Sequence, residues 1–94
     1  MRFEWDSKKA AANLKKHKVS FDEAVSVFAD PLASIFDDEG HSKTEFREII
    51  IGTSILNRLV LVCFTEHEEN LVRIINARLA TKREREDYED NKSR

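Results

Sequence analysis

Apolar and polar positions recur along this chain with changing period, and the period predicts the elements. RFEW at 2–5 alternates and reads as a short first strand. Asp6 or Ser7 can cap a helix through KKAAANLKK, where the alanines supply propensity and Leu14 joins an apolar stripe. The helix is expected to end near His17 and Lys18, with cations in its last turn to suit the macrodipole. Glycine usually eases such a turn, so Lys18 is an awkward occupant if φ there must be positive. SFDE at 20–23 is a capping box: Ser20 caps the next helix and Glu23 reaches back to the cap. Phe21, Ala24, Val25 and Phe28 follow at helical spacing. Asp30 and Pro31 end the helix, because proline biases its predecessor away from helical geometry.

LASIF at 32–36 reads as a short strand, and DDEGHSKTE at 37–45 as a polar connection. FREIIIGTS, RLVLVCFTE and NLVRIINARLA are three strands rich in Ile, Val, Leu and Phe. The connections near Leu56 and Asn57 and at 68–70 are short, which makes antiparallel hairpins the economical topology. IIIG and LVLVCF are nearly continuous apolar runs, as strands covered on both faces or centrally placed require. Thr81 and Glu84 form a second capping box. It opens a charged helix to about Asp90 that packs through Tyr88 alone, and NKSR is expected to fray. The order predicts an α+β fold: a short first strand, two N-terminal helices packed on one face of a mainly antiparallel sheet, and a short C-terminal helix.

With 94 residues and 40% hydrophobic content the chain suits one domain, 1–94, and is too short for two. No apolar stretch follows Met1 and no run is long enough to cross a membrane, so a cytoplasmic protein is expected. The single cysteine, Cys63, lies in an apolar run and reads as a buried thiol in a reducing compartment. The net charge of −2 hides a segregation. Residues 1–20 hold six Lys/Arg against two acids, residues 21–45 one against seven, residues 46–70 two against four, and residues 71–94 seven against five. That layout permits a local polyanion site on a chain that is not basic as a whole, and equally two partners of opposite sign.

Candidate chemistry is narrow. Asp37, Asp38, His41 and Glu45 cluster in sequence, but their spacing matches no zinc or calcium loop, and a solvated connection accounts for them. Two glycines leave no phosphate-cradling loop, and there is no serine elbow. No helix-turn-helix recognition helix is visible, which counts against direct DNA binding. The basic groups are more informative: Lys15, Lys16 and His17 end the first helix, Arg73 and Arg78 come from the last strand, and Lys82, Arg83 and Arg85 follow on the terminal helix. Such groups suit RNA, which carries its own nucleophile in the 2′-hydroxyl. A cleaving enzyme then needs a proton acceptor, a proton donor and cations over the phosphorane. Arginine serves the last role, and His17 titrates in the range for either of the first two, with Lys or Tyr as substitutes. One geometric limit stands out. Arg73 and Arg78 are five positions apart, so an unbroken strand points them to opposite faces unless a bulge intervenes.

FEWD at 3–6, KHKVSF at 16–21, FADP at 28–31, the R-x-x-x-I-G of Arg47 to Gly52, and RIINAR followed by ATKREREDY together resemble the BrnT family, from Phe3 to about Glu89. The resemblance implies a RelE-like ribonuclease toxin of a type II toxin–antitoxin pair, an endoribonuclease that cleaves RNA without a metal or cofactor and halts translation. It also implies a BrnA-like ribbon-helix-helix antitoxin that blocks the toxin, operator DNA bound only through that antitoxin, and a toxin dimer within the complex as one possible assembly. By matching position, Lys16, His17, Arg73 and Arg78 are the catalytic candidates, with Lys15, Arg47, Arg83 and Tyr88 binding RNA or supporting. Two departures are visible: Lys18 stands where the family usually has glycine, and Asn76 where serine is common. With the acidic balance they leave open a degenerate member that binds its antitoxin without cleaving.

Overall fold

The computed structural model describes residues 1–38, 46–68 and 70–92. The elements come in the expected order: β1 (Arg2–Glu4), α1 (Ser7–His17), α2 (Phe21–Val27), β2 (Ser34–Asp37), β3 (Glu48–Thr53), β4 (Leu59–His67), β5 (Leu71–Leu79) and α3 (Lys82–Lys92). The strands form one sheet in the order β1-β5-β4-β3-β2. Strands β2 to β5 pair antiparallel through their hairpins, and β1 runs parallel to β5 at the opposite edge. The fold is therefore α+β with a mainly antiparallel sheet.

Alternation explains how the sheet is covered. Val60, Val62 and Phe64 of β4 face α1 and α2, where Val19, Phe21, Ala24 and Val27 complete the core. Phe28 joins it to β1, with ring centroids 5.1 Å from Phe3 and 5.0 Å from Phe64. Leu59 and Leu61 face the other way and pack with Ile51 under Tyr88 of α3. The apolar run of β4 is thus covered on both faces. Of the described α3 side chains only Tyr88 is buried, and its hydroxyl donates to the Leu32 carbonyl at 3.1 Å.

The caps are local and mostly as expected. Asp6 accepts from the Lys8 and Lys9 amides at 2.8 and 3.0 Å, and this lowers its pKa. Lys18 takes the left-handed conformation (φ 61°, ψ 28°), its amide returning to the Leu14 carbonyl. Ser20 accepts from the Glu23 amide at 2.9 Å, but the Glu23 carboxylate does not return to the cap. It is buried against the Ser54 hydroxyl and the Arg58 guanidinium, two long-range partners that outcompete one exposed amide. Regular helix α2 stops at Val27, and three tighter i→i−3 bonds carry the chain to Asp30. β2 starts two residues later than LASIF, and α3 runs two residues past Asp90, so Asn91 and Lys92 are helical. Ser93 and Arg94, expected to fray, lie outside the described residues.

One buried polar side chain joins α1 to the sheet. Asn13 donates to the carbonyls of Val19 (2.9 Å) and Ala77 (2.8 Å) and accepts from the Ala77 amide (3.1 Å). β1 pairs only with residues 71–73 of β5, so the amide of Asn13 takes the place of a strand further along that edge.

Candidate functional site

Register decides which side chains of β5 share a face. Cys63 pairs with Asn76 and Phe64 with Ile74, so one step on β4 spans two on β5, and Ile75 is the extra residue of a β-bulge. Val72, Ile74 and Ala77 all face the helices. Arg73, Asn76 and Arg78 consequently lie together on the opposite face. The bulge removes the five-residue conflict between the two arginines.

On that face a cleft of about 260 Å³ is lined by Asp38, Arg47, Ile49, Leu61, Cys63, Asn76 and Arg78. The β2–β3 hairpin delivers two of these residues as neighbours, since the Asp38 amide donates to the Arg47 carbonyl at 2.9 Å. Asp38 also lies 3.6 Å from the Cys63 sulfur, and Cys63 is buried, as its apolar setting predicts. Two guanidinium groups and a carboxamide, donor types that suit phosphate oxygens, line this concavity together with the Asp38 carboxylate.

Arg78 is held in place. Its two terminal nitrogens donate to the two Glu84 carboxylate oxygens at 2.8 and 2.9 Å. Glu84 closes the capping box of α3 as expected, accepting from the Thr81 amide at 2.8 Å while its own amide donates to Thr81 Oγ1 at 3.1 Å. The Arg78 bonds, aided by Thr81 and opposed by burial, bring the Glu84 pKa down to about 2 and raise that of Arg78. Arg73 lies farther along β5, where it donates to Glu4 at 2.9 Å; both side chains are substantially exposed.

The remaining candidates are elsewhere. Lys15, Lys16 and His17 form the last turn of α1, one turn beyond Asn13, and none of them lines the cleft. Arg83 is exposed on α3, and Tyr88 anchors that helix. Of the acidic connection, Asp38 lines the cleft, whereas His41 and Glu45 lie outside the described residues. Among the described residues no three His, Cys, Asp or Glu side chains form a metal-binding group, and no helix is long and apolar enough to cross a membrane.

In the sequence Asp38 reads as part of a solvated connection, Asn76 as a departure from the family and Glu84 as a cap, and none of the three as a site residue. Asn76 was within reach, because i−2 from Arg78 shares its face in any strand.

Residues 5–84 match the family described as "Ribonuclease toxin, BrnT, of type II toxin-antitoxin system". No curated protein is significantly similar to the chain. Among solved structures, the crystal structure of the Brucella abortus ribonuclease toxin, BrnT, is similar at a TM-score of 0.67 and 23% identity, over 87% of this chain and 99% of that one. That likeness supports the fold, α+β with a short first strand and a C-terminal helix, while the match over 5–84 covers most of the sequence. The chain belongs to the BrnT family of ribonuclease toxins of type II toxin–antitoxin systems.

Proposed function

We propose that this chain is a metal-independent endoribonuclease toxin that seats an RNA phosphate between Arg47 and Arg78. The observation that carries the reading is the convergence of Arg47, Asn76 and Arg78 on one cleft, made possible by the bulge at Ile75. In this reading the two guanidinium groups stabilise the charge that builds on the phosphorane as the 2′-hydroxyl attacks, and Asn76 donates to a non-bridging oxygen. Lys16 and His17, which end the helix that Asn13 clasps to the edge of the same strand, lie outside the cleft and handle protons or phosphate where the RNA passes that edge. Arg73, Lys15 and Arg83 hold flanking phosphates, and Tyr88 supports the site through α3 and Glu84. A BrnA-like ribbon-helix-helix antitoxin neutralises the toxin in the cytoplasm, and the pair represses its own operon.

A specific observation favours a second reading. Both terminal nitrogens of Arg78 are committed to Glu84, as in a structural ion pair, which suits an interaction domain that binds its antitoxin without cutting RNA. Growth separates the two. Wild type, Arg47→Ala, Arg78→Ala and His17→Ala are induced without antitoxin, and purified proteins are given RNA in EDTA. The ribonuclease reading expects arrest and cleavage from wild type, with cleavage down about 10²–10³-fold in the arginine variants. Equal growth of all four cultures with intact RNA leaves the interaction domain.

A further inference from the structure

The two edges of the sheet differ. β1 and the Asn13 amide occupy positions along the outer side of β5. β2 pairs with β3 on one side and with no strand on the other among the described residues. The Asp38 amide donates inward to Arg47. Antiparallel ladders alternate, so Ser34 and Phe36 also bond inward, and Ile35 and Asp37 present their amides and carbonyls outward.

This edge is apolar on both faces. Ile35, level with core residue Ile50, is 55% exposed on the α2 side, and Phe36 is 48% exposed on the cleft side. Leu32, two residues before the strand, and Phe46, next to Arg47, are each 59% exposed. Ile35 and Phe36 thus put an exposed large hydrophobic on each face of one edge strand, which leaves that edge unprotected. Acids border it on both faces. Beside Phe36 lies a hollow of about 160 Å³ floored by Ile51, Leu61 and Tyr88, with Glu84 and Asp87 in its lining. On the α2 side Asp37, Glu48 and Glu66 crowd one another, and burial together with Glu66 and Asp37 raises the Glu48 pKa.

We propose that the outer edge of β2 docks an extended segment of the antitoxin as an added strand, with apolar and basic side chains alternating on both of its faces. On the cleft side a Lys or Arg stem covers Phe36 and enters the hollow, and its cation meets Asp87. On the other side an apolar group covers Ile35 and a cation answers Asp37 and Glu48. A second copy of this chain fits less well, because residues 29–38 contain no Lys or Arg to offer those acids. The inference rests on membership in a toxin–antitoxin family and not on the RNA cleft.

The test uses the full chain with the product of the small reading frame adjoining its gene. Hydrogen exchange at the Ile35 and Asp37 amides is measured with and without that protein, and affinity is measured by direct titration, which needs no catalytic activity. The amides are expected to slow by about tenfold or more in the complex. Asp37→Pro, which removes an outward donor and leaves the β3 ladder intact, and Phe36→Glu are each expected to weaken binding about tenfold. Unchanged exchange in the wild-type complex overturns the proposal whether or not the variants fold, as does full affinity in both variants. Sedimentation of the isolated chain as a dimer with both amides protected overturns it too, in favour of a second copy.

Discussion

Replacing Asn13 by leucine, which is close in size and stays apolar, isolates the clasp between α1 and β5. Asn13 is 7% exposed, so water does not readily replace its amide. The substitution strands the Ala77 amide, at about 1–3 kcal/mol, and deprives the Val19 and Ala77 carbonyls of a donor, at a smaller cost each. The sum is about 2–5 kcal/mol. A domain of this length has about 5–14 kcal/mol in all, so the loss is a large fraction of its stability. In urea, with a slope of about 1–1.5 kcal/mol/M, the midpoint is expected to fall by about 1–5 M, or the variant to be unfolded without denaturant. Asn13→Ala, which admits water to the gap, is expected to fall between the leucine variant and wild type. A midpoint within about 0.5 M of wild type for Asn13→Leu would refute the reasoning, because the Ala77 groups would then have found other partners.

Three further outcomes follow from local geometry. Lys18→Gly relieves a left-handed side-chain-bearing residue at the loss of one exposed Nζ–carbonyl contact with Lys15, and is expected to add about 0.5–1 kcal/mol, read as a rise of about 2–8 °C in Tm. Gly52→Ala brings a methyl within 2.8 Å of the Ala33 Cβ and 3.2 Å of a Val27 methyl, so calorimetry should register a loss of about 1–3 kcal/mol; a neutral result means that α2 can move away. The Glu84 carboxyl falls from 4.5 to about 2 on folding, so its ion pair stabilises the fold above the unfolded value and is lost as pH drops from 4.5 towards 2. After allowance for solvent screening of a pair that is a third exposed, the contribution is about 1–2 kcal/mol; the stability gap between wild type and Glu84→Gln should close over that window, and a gap constant from neutral pH to pH 2.5 contradicts the assignment.

The sequence by itself determined what depends on neighbours a few residues away. Period and capping chemistry place α1, α2 and α3, because Asp6, Ser20 and Thr81 bond to amides two or three positions on. Runs of β-branched residues place β3, β4 and β5, and the continuous apolar stretch of β4 already called for a strand covered on both faces or centrally placed. Family motifs from Phe3 to about Glu89 were legible too, and so was the pressure on the backbone at Lys18.

Only the tertiary structure decided what depends on partners far along the chain. Nothing in RIINAR marks Ile75 as extra; its bulge exists because β4 supplies one residue where β5 supplies two, and that puts Arg73, Asn76 and Arg78 on one face. Glu23 carries the local signature of a capping box but is drawn away by Ser54 and Arg58, 31 and 35 residues on, where a buried charged bond outweighs a solvated one. Asn13 looks like a helix-surface residue until Ala77, 64 positions later, comes beside it. The arginine chosen from its basic surroundings, Arg78, proved to be held by Glu84 six residues later: strand and helix meet at that point, and their charges meet with them.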